Sequence, residues 1–239
     1  MSDAIPQGQI ENHSGAVPSN FPARETLREG DRLSRDEFER RYEVRPDLRQ
    51  AELIEGIVRM PTPVGYETHA NPHSALITVL SVYAAHTPGV GVAVEATVRL
   101  DPENEPQPDV VLRIESDELG QSSIDADGYI AGAPELVAEI AASSARFDLG
   151  QKLEVYRRNG VREYIVWQTR ARRIDCFQRS GEAFEPLPVA PGGIVHSQVF
   201  PGLRIATAAL LKRDVATALA VVQRGVGTPE HGEFVARCG

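Results

Sequence analysis

The run Glu135-Leu-Val-Ala-Glu-Ile-Ala141 constrains this chain more than any other feature. It has strand length and, after Glu135, is apolar on both faces, with one exception at Glu139. A strand exposed on one side alternates apolar and polar residues; a strand apolar on both sides is covered on both. Such a segment requires a sheet with layers packed against it. A second apolar run, Pro108-Asp-Val-Val-Leu112, opens on another carboxylate, Asp109. An unpaired buried charge is very costly, so Glu139 needs a partner. A salt bridge would satisfy it, and so would a metal ion.

The elements around these runs follow from periodicity and turn residues. Residues 1–25 carry no pattern and are expected to be disordered or loosely attached. Residues 34–41 read as a short capped helix, with Ser34 at the N-cap and Glu37 three positions on. Apolar residues on either side of Glu55-Gly56 predict a hairpin over 51–60. Asn71-Pro72 opens a helix that runs to Thr87-Pro88-Gly89. Val92, Val94, Ala96, Val98 and Leu100 alternate as one half-buried strand. A second strand covers Pro108–Ile114, a long loop 115–133, and a third strand 135–141. A helix over Asp148–Asn159 ends at Gly160, and a fourth strand covers Glu163–Gln168. Segments 173–179 and 183–187 extend the sheet antiparallel, and two apolar helices follow near 207–212 and 214–223. The resulting core is α-β-β-β-α-β around a mixed central sheet in an α/β domain, with an N-terminal hairpin and C-terminal helices. The chain then divides into residues 1–25, a domain over 26–212, and a C-terminal helix and tail over 213–239.

Composition narrows the class. No apolar run approaches the length of a membrane span, and the polar N-terminal stretch lacks a signal-peptide pattern, so a cytoplasmic protein with no membrane partner is expected. Cys176 and Cys238 make neither a disulfide framework nor a zinc site. The net charge of −9 argues against a protein that coats nucleic acid. Charge is uneven, however: nine Lys/Arg stand against four Asp/Glu between Arg146 and Arg179, a local +5. That strip faces either phosphates or solvent.

Lys152 is the third misplaced polar residue. Leu149, Leu153 and Tyr156 mark the buried stripe of their helix, and Lys152 lies on it, within reach of Glu139 on the preceding strand. The alternative is a lysine at the edge of the stripe that snorkels outward. Two carboxylates suffice as protein ligands for Mg²⁺, which keeps several waters. The metal polarises a phosphoryl oxygen, and a nearby lysine orients water or stabilises developing charge. Glu52 and Glu95 are further acids, each read either as part of this shell or as an exposed or paired carboxylate. His69 and His73 read as polar residues at a helix entry with no companion acid identified, and Ser143, Ser144 and Asp148 as loop and capping residues.

Three stretches resemble the Uma-two family of endonucleases, within the PD-(D/E)XK or restriction-endonuclease-like superfamily. They are Pro-Gln-Pro108-Asp109-Val-Val-Leu, then Ala-Pro-Glu-Leu-Val-Ala-Glu139-Ile-Ala-Ala-Ser-Ser, then Asp-Leu-Gly-Gln-Lys152-Leu-Glu-Val-Tyr with the residues up to Trp167. Glu52-Leu-Ile-Glu-Gly and Val199-Phe-Pro-Gly-Leu are similar to its opening hairpin and closing segment. The resemblance spans roughly residues 35–212. It implies a restriction-endonuclease-like fold, Asp109 and Glu139 as the metal-binding acids, and Glu52 as a further site acid. The superfamily's lysine stands two residues after the second acid, where this chain has Ala141; the resemblance implies that Lys152 replaces it.

The expectation is therefore a Mg²⁺-dependent endonuclease, with Mn²⁺ as a substitute, that hydrolyses phosphodiester bonds of nucleic acid, DNA in particular. Catalysis would rest on Asp109, Glu139, Lys152 and Glu52, with a homodimer compatible with an open sheet edge. The alternative is a non-catalytic descendant of the fold that binds nucleic acid or a protein through the 146–179 strip. A third reading has Lys152 merely neutralising Glu139 inside the core.

Overall fold

The computed structural model describes residues 26–45, 47, 48 and 50–238. The expectation for residues 1–25 lies outside the described residues. Helix α1 (Arg35–Glu43) starts at the expected cap, with Ser34 Oγ accepting the Glu37 amide at 3.4 Å. Strands β1 (Glu52–Ile54) and β2 (Ile57–Arg59) form the expected hairpin. Its two loop residues, Glu55 and Gly56, both take positive φ (53° and 69°), as a two-residue loop matched to strand twist requires. Helix α2 (Asn71–Ala85) is entered through a wider π turn, Tyr66–Ala70.

The strand expected over Val92–Leu100 is two strands, β3 (Val90–Val94) and β4 (Val98–Arg99). Glu95 takes a left-handed φ of 51° between them and turns the chain out of the sheet. The alternation survives the bend, which is why it reads as one strand, but Val98 packs elsewhere, with Val111 and Ile130. Strand β5 (Val110–Ile114) follows. The stretch expected as a plain loop over 115–133 contains β6 (Ser123–Ile124) and β7 (Ile130–Ala131), which pair with each other, and β7 also pairs with β4. Arg99 ties their turn by ion pairs to Asp125 and Asp127.

After β8 (Leu136–Ala141), the helix starts earlier than expected and is built in three pieces. These are α3 (Ala145–Phe147), a π turn over Asp148–Lys152, and α4 (Leu153–Asn159), closed by Gly160 at a left-handed φ of 94°. Next come β9 (Glu163–Gln168), β10 (Arg173–Ser180) and β11 (Ala183–Pro186). A small sheet of β12 (Val189–Ala190), β13 (Ile194–His196) and β14 (Arg204–Ala206) leads to α5 (Thr207–Leu211) and α6 (Val215–Val226). A third C-terminal helix, α7 (Pro229–Cys238), was not anticipated from the sequence.

The central sheet has the order β11-β10-β9-β8-β5-β3. Only β8 and β9 run parallel, so the sheet is mixed, as expected for the α-β-β-β-α-β core. Successive side chains of a strand point to opposite faces. In β8, Leu136, Ala138 and Ile140 join Leu76, Val79 and Leu80 of α2 in one cluster, which also takes in Val221 and Val222 of α6 and Phe234 of α7. Val137 and Ala141 join Tyr156, Val161 and Tyr164 in another. Glu139 has the parity of Val137 and Ala141 and therefore faces the α3–α4 side. The C-terminal helices dock closely: Gly225 of α6 meets Gly202 with no room for a Cβ between them.

Candidate active site

A cleft of about 1010 Å³ gathers residues from the hairpin, both apolar strand runs and the turn that carries Lys152. It is lined from β1, the Tyr66–Ala70 turn, the start of α2, the residues before β5, the end of β8 and the Asp148–Lys152 turn. Glu52, Asp109, Glu139 and Lys152 all line it. Sequence separations of 100 and 13 residues close to hydrogen-bond distance: Lys152 Nζ donates to Glu52 Oε1 at 2.8 Å and to Glu139 Oε1 at 2.9 Å.

Each side chain is placed by its local structure. Glu139 sits in the apolar row of β8 and is 5% exposed; Lys152 is equally buried. The Tyr156 hydroxyl, one turn further along the helix, also donates to Glu139 Oε1 at 2.9 Å. Among the described residues no donor reaches the other oxygen, Oε2, while the residue borders the cleft. Glu52 additionally accepts the Gln107 amide at 2.7 Å, which fixes the hairpin against the entry to β5. Asp109 is anchored to β8 by the Ile140 amide, which donates to Oδ2 at 2.6 Å. This bond sets Asp109 beside the residue that follows Glu139.

Three side chains join the site that the sequence reading assigned other roles. His69 and His73 are not simply helix-entry residues: Asp109 is their companion acid. His69 Nε2 lies 3.2 Å from Asp109 Oδ1, while its Nδ1 donates to the Ile140 carbonyl at 3.0 Å. His73 Nε2 donates to the Asp109 carbonyl at 2.9 Å. The spacing of the two histidines is visible in the sequence, but the acid lies more than thirty residues on and only the fold brings it back. Asp148 does not cap the helix; it lies inside the π turn, buried, and borders the cleft. Glu95 is not on a strand face but at the exposed bend, at the rim of the same cleft.

Charge defines what this cleft can hold. Its lining includes six acids (Glu29, Glu52, Glu95, Asp109, Glu139, Asp148) and three bases (Arg59, Lys152, Arg170). Burial pushes the Glu139 pKa well above the ordinary carboxylate range; Lys152 opposes this, and Asp109, Asp148 and Glu52 add to it. Burial likewise raises Asp148 against the pull of Lys152 and Ser144. For Asp109 burial is outweighed by His69, the Ile140 amide and His73, so its carboxyl is held below the ordinary range. Desolvation works against the Lys152 ammonium, but Glu139, Glu52 and Asp148 outweigh it and raise its pKa. The cluster is short of positive charge, and a cation fits that shortage.

The basic strip does not form a face of this cleft. Of its nine Lys/Arg only Lys152 and Arg170 line it. Arg157 pairs with Glu154 and Glu182, Arg158 with Glu55, and Arg173 with Asp175.

Comparison with known proteins agrees with this architecture. A family model, Uma2, described as "Putative restriction endonuclease", matches residues 35–208. Among solved structures the chain is similar to one from Anabaena variabilis ATCC 29413, described as a "putative nuclease belonging to DUF820". That likeness has a TM-score of 0.50 at 14% identity and covers 72% of this chain and 90% of the other, so it concerns the fold. No functionally curated protein matches the chain.

Proposed function

The chain belongs to the Uma2 family, and from that premise we propose that it is a divalent-metal-dependent endonuclease acting on nucleic acid, with DNA as its substrate. The observation that carries this reading is the meeting of Glu52, Asp109, Glu139 and Lys152 in one acid-rich cleft. Three sequence-distant segments supply the two carboxylates and the lysine that phosphodiester hydrolysis uses.

The donor set suits Mg²⁺, or Mn²⁺ in its place, because hard oxygen ligands predominate and a dication offsets the excess of acids. Asp109 and Glu139 would hold it, Glu139 through Oε2, the oxygen that Lys152 and Tyr156 leave free. A bound dication supplies Lewis-acid charge against the phosphoryl oxygens. The remaining work falls to the chain itself. The Ile140 amide and His69 fix the orientation of Asp109. Tyr156 and Lys152 together fix Glu139. Lys152 stays charged throughout, since three carboxylates stabilise its ammonium. It therefore acts as a fixed positive charge in the cleft wall, suited to charge developing on phosphate, and does not take a proton from water. Glu52 is a positioning residue that holds the lysine in place. Six acids repel a polyanion, so nucleic acid enters productively only after the cation.

The test is cleavage of supercoiled and linear DNA in Mg²⁺ or Mn²⁺. We expect activity that EDTA abolishes and that Asp109→Asn and Glu139→Gln each reduce by at least about 100-fold, comparable to losing a charge-stabilising group, with circular dichroism unchanged. Equal cleavage by wild type and both variants refutes the proposal.

A further inference from the structure

The nuclease reading uses His69 only to orient Asp109 and leaves His73 without a role. We infer that His69, His73 and Asp109 form a second cation position, selective for a borderline transition-metal dication of the Co²⁺-to-Zn²⁺ kind over Mg²⁺. One ligand atom from each of these residues lies within 4.8 Å of the others. Ligand atoms around one such dication stand roughly 3–4 Å apart at bond lengths near 2.1 Å. His69 and Asp109, at 3.2 Å, already satisfy that spacing. His73 joins by a side-chain rotation of about an ångström in which its ring gives up the hydrogen bond to the Asp109 carbonyl and turns a nitrogen lone pair to the cation.

Three observations make this a prepared position rather than a chance grouping. The His69 Nδ1–H is committed to the Ile140 carbonyl, so Nε2 is the nitrogen that faces Asp109, and a bound cation would replace the proton it shares with that carboxylate. A ligating histidine is normally oriented in this way, its second nitrogen donating to a main-chain carbonyl. His73 is buried and its hydrogen bond to the Asp109 carbonyl keeps its ring beside the acid. The π turn Tyr66–Ala70 contains His69 and runs directly into the helix that carries His73. Wide turns of this type are frequent at functional sites of helices. Imidazole nitrogen favours Co²⁺, Ni²⁺ and Zn²⁺, whereas Mg²⁺ prefers oxygen and sheds water reluctantly, and this sets the selectivity.

The position shares Asp109 with the nuclease reading but draws on neither Glu139 nor Lys152, so the two are separable. Co²⁺ titrated into metal-free protein reports ligation by its visible absorption, with no nucleic acid present. We expect saturable binding to the wild type that His69→Gln and His73→Gln each weaken by at least about 10-fold, and that Glu139→Gln leaves in place. Millimolar Mg²⁺ should not displace the Co²⁺. Because His73 is buried, a measurement on unaltered protein accompanies the variants: pulsed EPR of the wild type with one equivalent of Cu²⁺ should show coupling to two imidazoles. Co²⁺ affinity indifferent to both substitutions, or Cu²⁺ without imidazole coupling, overturns the inference. Metal-dependent cleavage that needs Glu139, combined with Co²⁺ affinity indifferent to the histidines, refutes the second position and leaves the nuclease reading standing. Histidine-dependent Co²⁺ binding in a protein that cleaves nothing does the reverse.

Discussion

Removing the two partners of the Glu139–Lys152 pair in turn should have very unequal effects on stability. In an isolated buried ion pair, loss of either member strands a charge and costs about 3–5 kcal/mol. Here the partners are not equivalent, because Lys152 serves Glu139 and Glu52 while Asp148 and Asp109 crowd the same cleft. Lys152→Met leaves those acids without their ammonium, and the full penalty of about 3–5 kcal/mol applies. For a chain of this size each kcal/mol moves Tm by about 2–4 °C, so a fall of roughly 6–20 °C is expected. Glu139→Gln keeps a side-chain oxygen to accept from Lys152 and Tyr156, keeps Glu52 against the lysine, and removes a carboxylate whose ionised form burial opposes. Its Tm in EDTA at neutral pH should match or exceed that of the wild type. Saturating Mg²⁺ should then stabilise the wild type by about 2.7 kcal/mol at a hundred times Kd, and Glu139→Gln by clearly less. Thermal melts followed by circular dichroism measure all of this. If Glu139→Gln falls as far as Lys152→Met, the pair is a balanced structural bridge and the reasoning from acid excess fails.

Two further expectations concern the scaffold. Glu105 is buried, and desolvation together with Glu39 raises its pKa to about 8. The folded state thus keeps a proton that the unfolded chain releases near pH 4.5, so stability falls as pH rises between about 4.5 and 8 and levels off above that; melts of Glu105→Gln should lose much of this slope, and an unchanged slope would disprove the assignment. Gly225→Ala forces a Cβ into the Gly202 carbonyl and should cost about 1–3 kcal/mol, read by urea denaturation; a neutral result would mean that α6 shifts freely on its neighbours.

What the sequence disclosed and what it withheld have physical causes. Glu139 and Lys152 were legible because each breaks a period, one in a strand and one in a helix, and both proved buried at 5% exposure. The β1–β2 hairpin was legible because its loop needs two left-handed residues and Glu55-Gly56 supplies them. The break at Glu95 was hidden, since a single left-handed residue leaves an alternating pattern intact. The histidine site was hidden for another reason. Spacing along one helix offers His69 and His73, but their acid arrives through sheet pairing, which no local pattern encodes. Asp148 was misassigned because an acid near a helix start normally caps it, whereas here the helix begins three residues earlier, at Ala145.

The π turn at Asp148–Lys152 carries a further implication for reading related chains. A π turn is a regular helix with one residue inserted, and each residue of an α-helix advances the side-chain direction by about 100°. Deleting a single position between Asp148 and Lys152 would let the helix regularise and swing the ammonium away from Glu139 and Glu52. The lysine's usefulness is thus encoded by how many residues precede it as much as by its identity. A relative that retains the lysine but has one residue fewer in this turn would keep the letter of the motif and lose its geometry.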